Sequence, residues 1–310
     1  MGDMENSAEL ARYHLRARED SDLESAVIYL HGAHVTSWIP EDGIERLYLS
    51  KRAVFQPGKG IRGGVPVIFP QFSTMGSLPR HGFARTTAWT LAAEGQRGAY
   101  RFAVFALEDD SAARGIWPHP FRIEYTVLVG GNALQLELRV NNTGSAAFSF
   151  QAALHTYLAV GNIENVELDG LDGAAYWDAA ENFAPKTQAV PKLRIAGETD
   201  RVYLDAPDVI SLNEGERTLH IEKTGFPDTV VWNAWHTAAG IGDMEPDDYR
   251  RYVCVEAAAV QHAISLEPGQ FWEARKLYIH FPPGKGEDAD ANWNLWSGQD
   301  GCEHGDPPCS

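Results

Sequence analysis

The sequence predicts an all-β fold of antiparallel strands, and three observations carry that prediction. Short segments in which polar and apolar residues alternate recur along most of the chain. Gly, Pro, Asn and Asp separate these segments at short intervals, as they do between the strands of sandwiches and barrels. Helical spacing of apolar residues is nearly absent, which argues against βαβ units and a parallel sheet.

The clearest element is a β-hairpin over residues 122–140, RIEYTVLVGGNALQLELRV. Apolar residues alternate on both sides of the Gly-Gly-Asn segment at 130–132, whose glycines permit a tight turn. The other predicted strands are SAVIYL, HVTSW, YRFAVFAL, AFSFQAALHTYLAV, TLHIEK, TVVWN, RYVCVEAA, HAISL and FWEARKLYIHF. Only SAELARYHLRA, residues 7–17, has helical spacing, and we expect a short helix there.

The strand pattern continues without a linker, so we expect a single domain over residues 1–283. Residues 284–310 hold six acids, one lysine and several Gly, Asn and Pro, which is typical of a flexible, solvated tail. Its Cys302, His304 and Cys309 include metal-ligand types, but no second ligand pair lies nearby in sequence. We therefore expect neither a metal nor another cofactor.

Composition excludes several function classes. The 310 residues carry a formal net charge of −17, which disfavours non-specific binding to nucleic acid or to an anionic membrane. No run of apolar residues is long enough to span a bilayer, and the N-terminal segment lacks the apolar core of a signal peptide. Three cysteines make no disulfide framework. We expect a cytoplasmic protein and a monomer.

A basic window over residues 51–93 stands out in this acidic chain. It contains no Asp or Glu and six basic residues, namely Lys51, Arg52, Lys59, Arg62, Arg80 and Arg85. The glycines around Arg62 in GIRGGVP allow a tight turn, and a guanidinium suits phosphate or paired sugar hydroxyls. If LPRHGFAR is a loop, Arg80, His81 and Arg85 can face one pocket. Solvated surface arginines are the alternative interpretation.

Two residues are candidates for acid–base chemistry. His155 lies in the apolar run FSFQAALHTYLAV, and imidazole titrates near neutral pH; the alternative is a core histidine with a satisfied hydrogen bond. Glu256 lies in RYVCVEAAAV, where burial would raise its pKa and suit a base; the alternative is a glutamate facing solvent at a strand end. Asp200 in GETDRVY is a third candidate, with a surface ion pair as its alternative.

Several segments together resemble the glucose-6-phosphate 1-epimerases, or hexose-6-phosphate mutarotases, a branch of the aldose 1-epimerase superfamily. They are GAHVTSW, IRGGVPVIFPQF, LPRHGFARTTAW, ALHTYLAV, GLDGAAYWD, ETDRVY, VVWNAW and VCVEAAAV, and the resemblance as a whole extends from about Ala26 to Phe281. The resemblance implies an antiparallel β-supersandwich of the galactose-mutarotase type. It also implies interconversion of the α and β anomers of a hexose 6-phosphate without a cofactor.

Carried over by position, the resemblance makes His155 and Glu256 the catalytic pair. It makes Arg62 and Arg85 substrate-binding arginines and Asp200 a binder of sugar hydroxyls, and it places His81 in the pocket. One departure is Arg80, which stands where the family typically has glutamine, so its contact with substrate is open. A second departure is AAAV after Glu256, where the family often has Pro or Asn.

The expected reaction opens and closes the sugar ring, with Glu256 as base and protonated His155 as acid. Three alternatives remain open at this point. A carbohydrate-binding or regulatory protein would keep the pocket without turnover, and a mutarotase for neutral aldoses would not need the arginines. A glycoside-active enzyme would need a second catalytic carboxylate, which the sequence does not indicate.

Overall fold

The structure, a computed structural model, describes residues 2–6, 10–19 and 21–281. The predicted tail over residues 284–310, with its cysteines, lies outside the described residues. Between the strands of the described part, every pairing is antiparallel, so the predicted all-β class is confirmed. Each helix in the described residues is no longer than six residues.

The strands of the described chain are numbered β1 to β21. They are β1 (Asp3–Asn6), β2 (Ala11–Arg16), β3 (Ser25–Tyr29), β4 (His34–Ile39), β5 (Val67–Ile68), β6 (Thr90–Arg97), β7 (Tyr100–Glu108), β8 (Phe121–Gly130), β9 (Ala133–Asn142), β10 (Phe148–Leu154), β11 (Tyr157–Ala159), β12 (Val166–Asp169), β13 (Ala175–Asp178), β14 (Ala184–Thr187), β15 (Lys192–Arg194), β16 (Thr199–Tyr203), β17 (Val209–Glu214), β18 (Arg217–Thr224), β19 (Asp228–Asn233), β20 (Tyr252–Leu266) and β21 (Phe271–Phe281). One short α-helix, α1, covers Ser111–Ile116. The 3₁₀ helices are Ala84–Thr86, Ile163–Asn165, Ala179–Glu181, Trp235–Gly240 and Asp248–Arg251.

The strands form three sheets. The first has four strands in the order β1-β2-β3-β4. The second has eight strands in the order β14-β13-β16-β19-β20-β10-β5, and β11 also pairs with β20. The third has nine strands in the order β15-β12-β17-β18-β21-β9-β8-β7-β6.

The core lies between the eight-stranded and nine-stranded sheets. Alternate residues of both sheets enter one apolar cluster, as expected where two antiparallel sheets face each other. Phe150 of β10 meets Trp272 of β21 with ring centroids 5.6 Å apart. The four-stranded sheet packs on the nine-stranded one, where Tyr13 of β2 meets Phe105 of β7 at 6.0 Å. The sandwich predicted from strand alternation is therefore confirmed.

The predicted hairpin is β8 and β9, with Gly130 paired to Ala133 and Gly131 in the left-handed region at φ +53°. The helix expected over residues 7–17 is wrong, because Ala11–Arg16 forms strand β2. Tyr13 and Leu15 point into the core two residues apart, so pairing with β3 wins over a weak helical pattern. None of the helices in the described ranges has the length and apolarity needed to cross a membrane.

Two strand boundaries also differ from expectation, and both matter for function. The run AFSFQAALHTYLAV is two strands, β10 and β11, with His155 and Thr156 between them. The runs RYVCVEAA and HAISL join into the single 15-residue strand β20. Continuous burial from Tyr252 to Val260 explains the join, since a central strand covered on both faces shows no alternation.

Candidate active site

A cavity of about 240 Å³ opens beside the eight-stranded sheet. All seven predicted site residues line it, although they come from widely separated parts of the chain. They are Arg62, Arg80, His81, Arg85, His155, Asp200 and Glu256. These side chains therefore lie around one shared pocket, as the sequence predicted.

The break between β10 and β11 positions His155. β10 pairs with β20 from Ala257 onward, and β11 pairs with β20 only up to Cys254. His155 uses another partner, because its N–H donates to the Pro66 carbonyl at 3.0 Å, while the Thr156 carbonyl still accepts from the Val255 N–H of β20 at 3.2 Å. His155 is therefore released from the ladder while both flanking strands hold its backbone. Its ring stacks on the Tyr157 ring, with centroids 5.0 Å apart and planes 13° apart.

Glu256 lies in the middle of β20, opposite this break. Its side chain is 1% exposed, so the solvent-facing alternative for this glutamate is wrong. Glu256 Oε1 lies 3.2 Å from His155 Nε2. Glu256 Oε2 and His155 Nδ1 are buried without a hydrogen-bond partner in the described structure. His155 therefore has one nitrogen facing Glu256 and a second nitrogen without a partner among the described residues.

Burial disfavours the charged form of both members of this pair. The pKa of Glu256 is raised well above its ordinary value by burial and by the charge of Asp200, with Lys276 acting in the opposite direction. Burial lowers the pKa of His155 well below its ordinary value, and the charges of Arg62 and Arg85 add to that effect. The two groups consequently hold about one proton between them over a wide pH range.

His81 contributes a fixed hydrogen-bond donor to the cavity. Its Nδ1 accepts a hydrogen bond from the Ser73 N–H at 3.2 Å, which in the neutral ring places the proton on Nε2. Burial, with added effects of Arg85 and Arg80, lowers the pKa of His81 to about 3, so the ring is neutral near pH 7. The His81 and His155 rings meet edge to face with centroids 5.7 Å apart.

The Gly-rich loop around Arg62 has a conformation that only glycine accepts easily. Gly63 and Gly64 have φ values of +112° and +59°. A Cβ at Gly64 would lie 2.2 Å from the Val35 carbonyl oxygen. His34, fully buried under the loop, hydrogen-bonds through Nε2 to the Gly63 carbonyl at 2.7 Å. The loop is thereby fixed against β4, and Arg62 is directed into the cavity.

Arg62 has protein partners that the sequence did not reveal. Its Nε donates to Asp243 at 3.0 Å, and its Nη1 donates to the Tyr157 hydroxyl at 2.9 Å. These bonds use two of the five guanidinium N–H groups, so three remain for a ligand. Since Tyr157 stacks on His155, Arg62 also helps to orient the His155 ring.

Arg85 differs from Arg62 because it has no carboxylate partner within 4 Å among residues 2–6, 10–19 and 21–281. It donates from Nη2 to the Arg80 carbonyl at 3.2 Å, and its Nε is buried without a partner. Burial lowers the pKa of Arg85, and the charges of Arg62 and Arg80 act in the same direction. Arg80 itself is exposed at the rim of the cavity. An anion would relieve this concentration of positive charge.

Asp200 lies on β16, across the cavity from the arginines' loops, and not in a surface loop. Its pKa is raised to about 6, because burial raises it more than the Arg80 charge lowers it. Arg201, the next residue, faces the other side of the sheet, where it lies over the Tyr176 ring. The surface Asp–Arg ion pair considered from the sequence is therefore wrong.

Tyr157, Trp232 and Asp243 are site residues that the sequence analysis missed. Trp232 lines the cavity and meets the His155 ring edge to face at 5.9 Å. Tyr157 is only two residues from His155 in sequence. Its contact with Arg62 depends on its position after the strand break, which the sequence did not indicate. Asp243 is 181 residues from Arg62 in the chain, so no local signal indicates their pairing.

One cluster at the cavity floor has metal-ligand types. Ligand atoms of His155, Cys254 and Glu256 lie within 4.8 Å of one another. Burial raises the pKa of the Cys254 thiol well above its ordinary value, and the adjacent Glu256 charge adds to this. Metals bind the thiolate, which is disfavoured here, so the chemistry of this cluster fits a metal poorly.

Known proteins resemble this chain over most of its length. A protein from Cenchrus ciliaris named "putative glucose-6-phosphate 1-epimerase" is 38% identical over 264 residues, covering 81% of this chain and 79% of that protein. An Escherichia coli protein of the same name is 33% identical over 234 residues, covering 74% and 78%.

Solved structures agree on the fold. The crystal structure of a "putative mutarotase" from Salmonella typhimurium superposes with a TM-score of 0.81 at 28% identity, covering 89% of this chain and 92% of that one. A galactose mutarotase-like protein from Clostridium acetobutylicum, 14% identical, superposes with a TM-score of 0.68 and covers 91% and 98%. The galactose-mutarotase type of sandwich is thus confirmed. The aldose 1-epimerase family model matches residues 17–278, and the chain belongs to the aldose 1-epimerase family.

Proposed function

We propose that this epimerase interconverts the α and β anomers of hexose 6-phosphates, chiefly glucose 6-phosphate. The observation that carries the proposal is the His155–Glu256 contact of 3.2 Å in a cavity that three arginines also line. The names of the relatives from Cenchrus ciliaris and Escherichia coli support this substrate class.

In the proposed mechanism, ionised Glu256 removes the proton from the anomeric hydroxyl while protonated His155 donates a proton to the ring oxygen. The bond between C1 and the ring oxygen breaks, and its electron pair goes to that oxygen as C1 becomes an aldehyde. Rotation about the C1–C2 bond presents the other face of the carbonyl. Ring closure then reverses both proton transfers, so neither oxidant nor cofactor is needed.

The shared proton of the pair fits this cycle. Before ring opening the proton is on His155, and afterwards it is on Glu256, so the total carried by the pair never changes. The contact of 3.2 Å places the two groups close enough to act on neighbouring oxygens of one sugar. Burial disfavours both charges and therefore favours the distribution with the proton on Glu256. In the proposed cycle the bound sugar stabilises the ionised distribution by hydrogen bonding to this pair.

Arg85 and Arg62 are proposed to bind the phosphate, and Arg80 to contribute from the rim. Arg85 offers the strongest local support, because its buried Nε has no partner among the described residues. Asp200 and neutral His81 are proposed to bind sugar hydroxyls as acceptor and donor, respectively. Local pairing of this kind outweighs the screened repulsion of a dianion by a chain of net charge −17.

Two alternatives make different predictions. A mutarotase for neutral aldoses would turn over glucose and glucose 6-phosphate at similar rates. A binding protein would hold the sugar without exchange. The pairing of His155 with Glu256 favours a reaction over binding alone, because a carboxylate buried without enough partners is costly.

We also propose that the protein acts as a monomer in the cytoplasm. Every proposed site residue comes from one chain, so the reaction needs no second subunit. Light scattering during size-exclusion chromatography measures the state directly, and a stable dimer whose separation abolishes activity would contradict the proposal.

The test is exchange NMR with glucose, galactose and their 6-phosphates. The proposal expects anomer exchange well above buffer for the 6-phosphates, with a higher kcat/KM than for the neutral sugars. Equal values with and without phosphate would favour the neutral-aldose alternative. Binding without any acceleration would favour the binding protein.

A further inference from the structure

Lys276 is a buried lysine directly behind the proposed base, and the sequence analysis gave it no role. It lies on β21 in the nine-stranded sheet and is 1% exposed. Its side chain crosses the interior to the eight-stranded sheet, where Nζ donates to the carbonyl of Val255. Val255 immediately precedes Glu256, so the ammonium ends beside the strand position that carries the carboxylate.

Lys276 and Glu256 line the same small chamber, which is separate from the main cavity. Its volume is about 10 Å³, and Thr229 also lines it. Glu256 Oε2 and Thr229 Oγ1 are both buried without a hydrogen-bond partner in the described structure. The Lys276 ammonium has no carboxylate within 4 Å among the described residues, so it acts on Glu256 through space, across the strand, and not by direct contact.

Three titratable residues on different elements influence the charge of Glu256, namely His155, Asp200 and Lys276. His155 lies 3.2 Å from Oε1, and Asp200 opposes ionisation from β16. Lys276 is the cation that favours the ionised carboxylate, and it acts from the opposite side of β20 to the substrate cavity. The Cys254 thiol, also near Glu256, stays neutral because burial raises its pKa.

The groups that face Lys276 make its charge depend on Glu256. Burial lowers the pKa of Lys276 to about 7, while Glu256 and Cys254 act to raise it and Lys223 to lower it. The Tyr278 ring lies 5.1 Å from Nζ. An ionised Glu256 and a protonated Lys276 therefore stabilise each other.

Lys223 provides a contrast within the same sheet. It is the register partner of Lys276 on β18 and is also buried. Its ammonium is bound by three carbonyls, those of Ala206, Phe226 and Pro227, and by Asp208. Lys223 thus stabilises a turn, whereas Lys276 has a single carbonyl partner and no carboxylate within 4 Å among the described residues.

We propose that Lys276 is a positioning residue that favours the ionised form of Glu256 from behind the strand and so extends the activity of the enzyme to lower pH. The inference rests on the proposed role of Glu256 as the base. Removing the Lys276 charge raises the pKa of Glu256 further, so a higher pH is needed to ionise it.

The first test is the pH dependence of kcat/KM for anomer exchange in Lys276→Met. We expect the acidic limb to move up by about one pH unit, which is about a tenfold loss on that limb. The two enzymes should converge above the pH at which Lys276 itself loses its proton. Lys276→Arg should restore the wild-type limb. Lys223→Met, the matched control, should not move the limb upward, because loss of the Lys223 charge favours protonated Lys276. A folded Lys276→Met enzyme with an unshifted limb would overturn the proposal.

The second test needs neither substrate nor turnover and decides the matter if Lys276→Met does not fold. The pKa of Lys276 is followed by ¹³C NMR of its Cε in wild type and in Glu256→Gln. Because coupling between two sites is reciprocal, the pKa of Lys276 should fall by about one unit in the variant. An unchanged value refutes the inference even if the chain proves to be a hexose-phosphate epimerase, and a fall supports it even if the substrate is different.

Discussion

Replacing Arg85 by glutamine should separate phosphate recognition from catalysis. Arg85 lines the cavity, has no carboxylate partner within 4 Å in the described part of the chain, and leaves its buried Nε unbonded. Its removal therefore unpairs no acid. Arg62→Gln, by comparison, would leave Asp243 without its partner and would loosen Tyr157 beneath His155.

The magnitude follows from the kind of bond that is lost. Hydrogen bonds to a charged group contribute about 1.5–3 kcal/mol each, and loss of one reduces kcat/KM roughly 10–150-fold. Arg85→Gln should show this loss with glucose 6-phosphate and a change of less than about twofold with glucose, which has no phosphate to bind. Arg62→Gln should lose more with the phosphate and should also slow exchange of the neutral sugar.

Exchange NMR on both sugars measures these ratios for each variant. Arg52→Gln is the matched control, because Arg52 belongs to the same basic window but does not line the cavity. Its kcat/KM should equal that of wild type. Equal losses on glucose and glucose 6-phosphate in Arg85→Gln would refute the assignment of Arg85 to the phosphate.

Three further predictions concern the acid, the pH response and the loop. His155→Asn should reduce kcat by about 10²–10⁴-fold with little change in sugar binding by calorimetry, and a normal rate would remove His155 from the scheme. Burial lowers the pKa of His34 to about 4, so stability present above pH 6.5 should be lost as pH falls toward 4, by up to about 1.4 kcal/mol per pH unit. Thermal unfolding from pH 7 to 5 should be less pH-dependent in His34→Gln, and identical slopes would contradict this. Gly64→Ala should cost about 2 kcal/mol or more in urea unfolding, because its Cβ would clash with backbone. Gly58→Ala, also at positive φ but in open space, should cost clearly less, and equal costs would rule out the clash as the cause.

Strand alternation and turn residues were sufficient for much of the fold. The β8–β9 hairpin follows from two alternating runs around a Gly-containing turn, and that pairing is local. β2 was missed because its inward pattern is carried by Tyr13 and Leu15 alone, and its pairing with β3 depends on tertiary context. Pairing with a distant strand can override a weak local preference for helix, and this happens most readily in short segments.

The sequence indicated which residues line the candidate cavity, but not which residues pair with them. The basic window suggested a group of uncompensated cations, yet Arg62 is paired by Asp243 from a distant loop. The sequence also gave no sign that Lys276 lies behind Glu256, because alternation in FWEARKLYIHF indicates only which faces the residues share. Residue types and local sequence patterns identify candidate site residues. The partners that set the charge of these residues depend on which strands are adjacent in the fold.

The most direct test of the account is the rate of anomer exchange of glucose 6-phosphate, measured by exchange NMR with wild type and with Glu256→Gln. The substitution removes the base and nearly preserves the shape of the side chain. The account predicts rapid exchange with wild type and a loss of about 10²–10⁴-fold with the variant. Exchange by wild type no faster than in buffer, or a variant as fast as wild type, would contradict it.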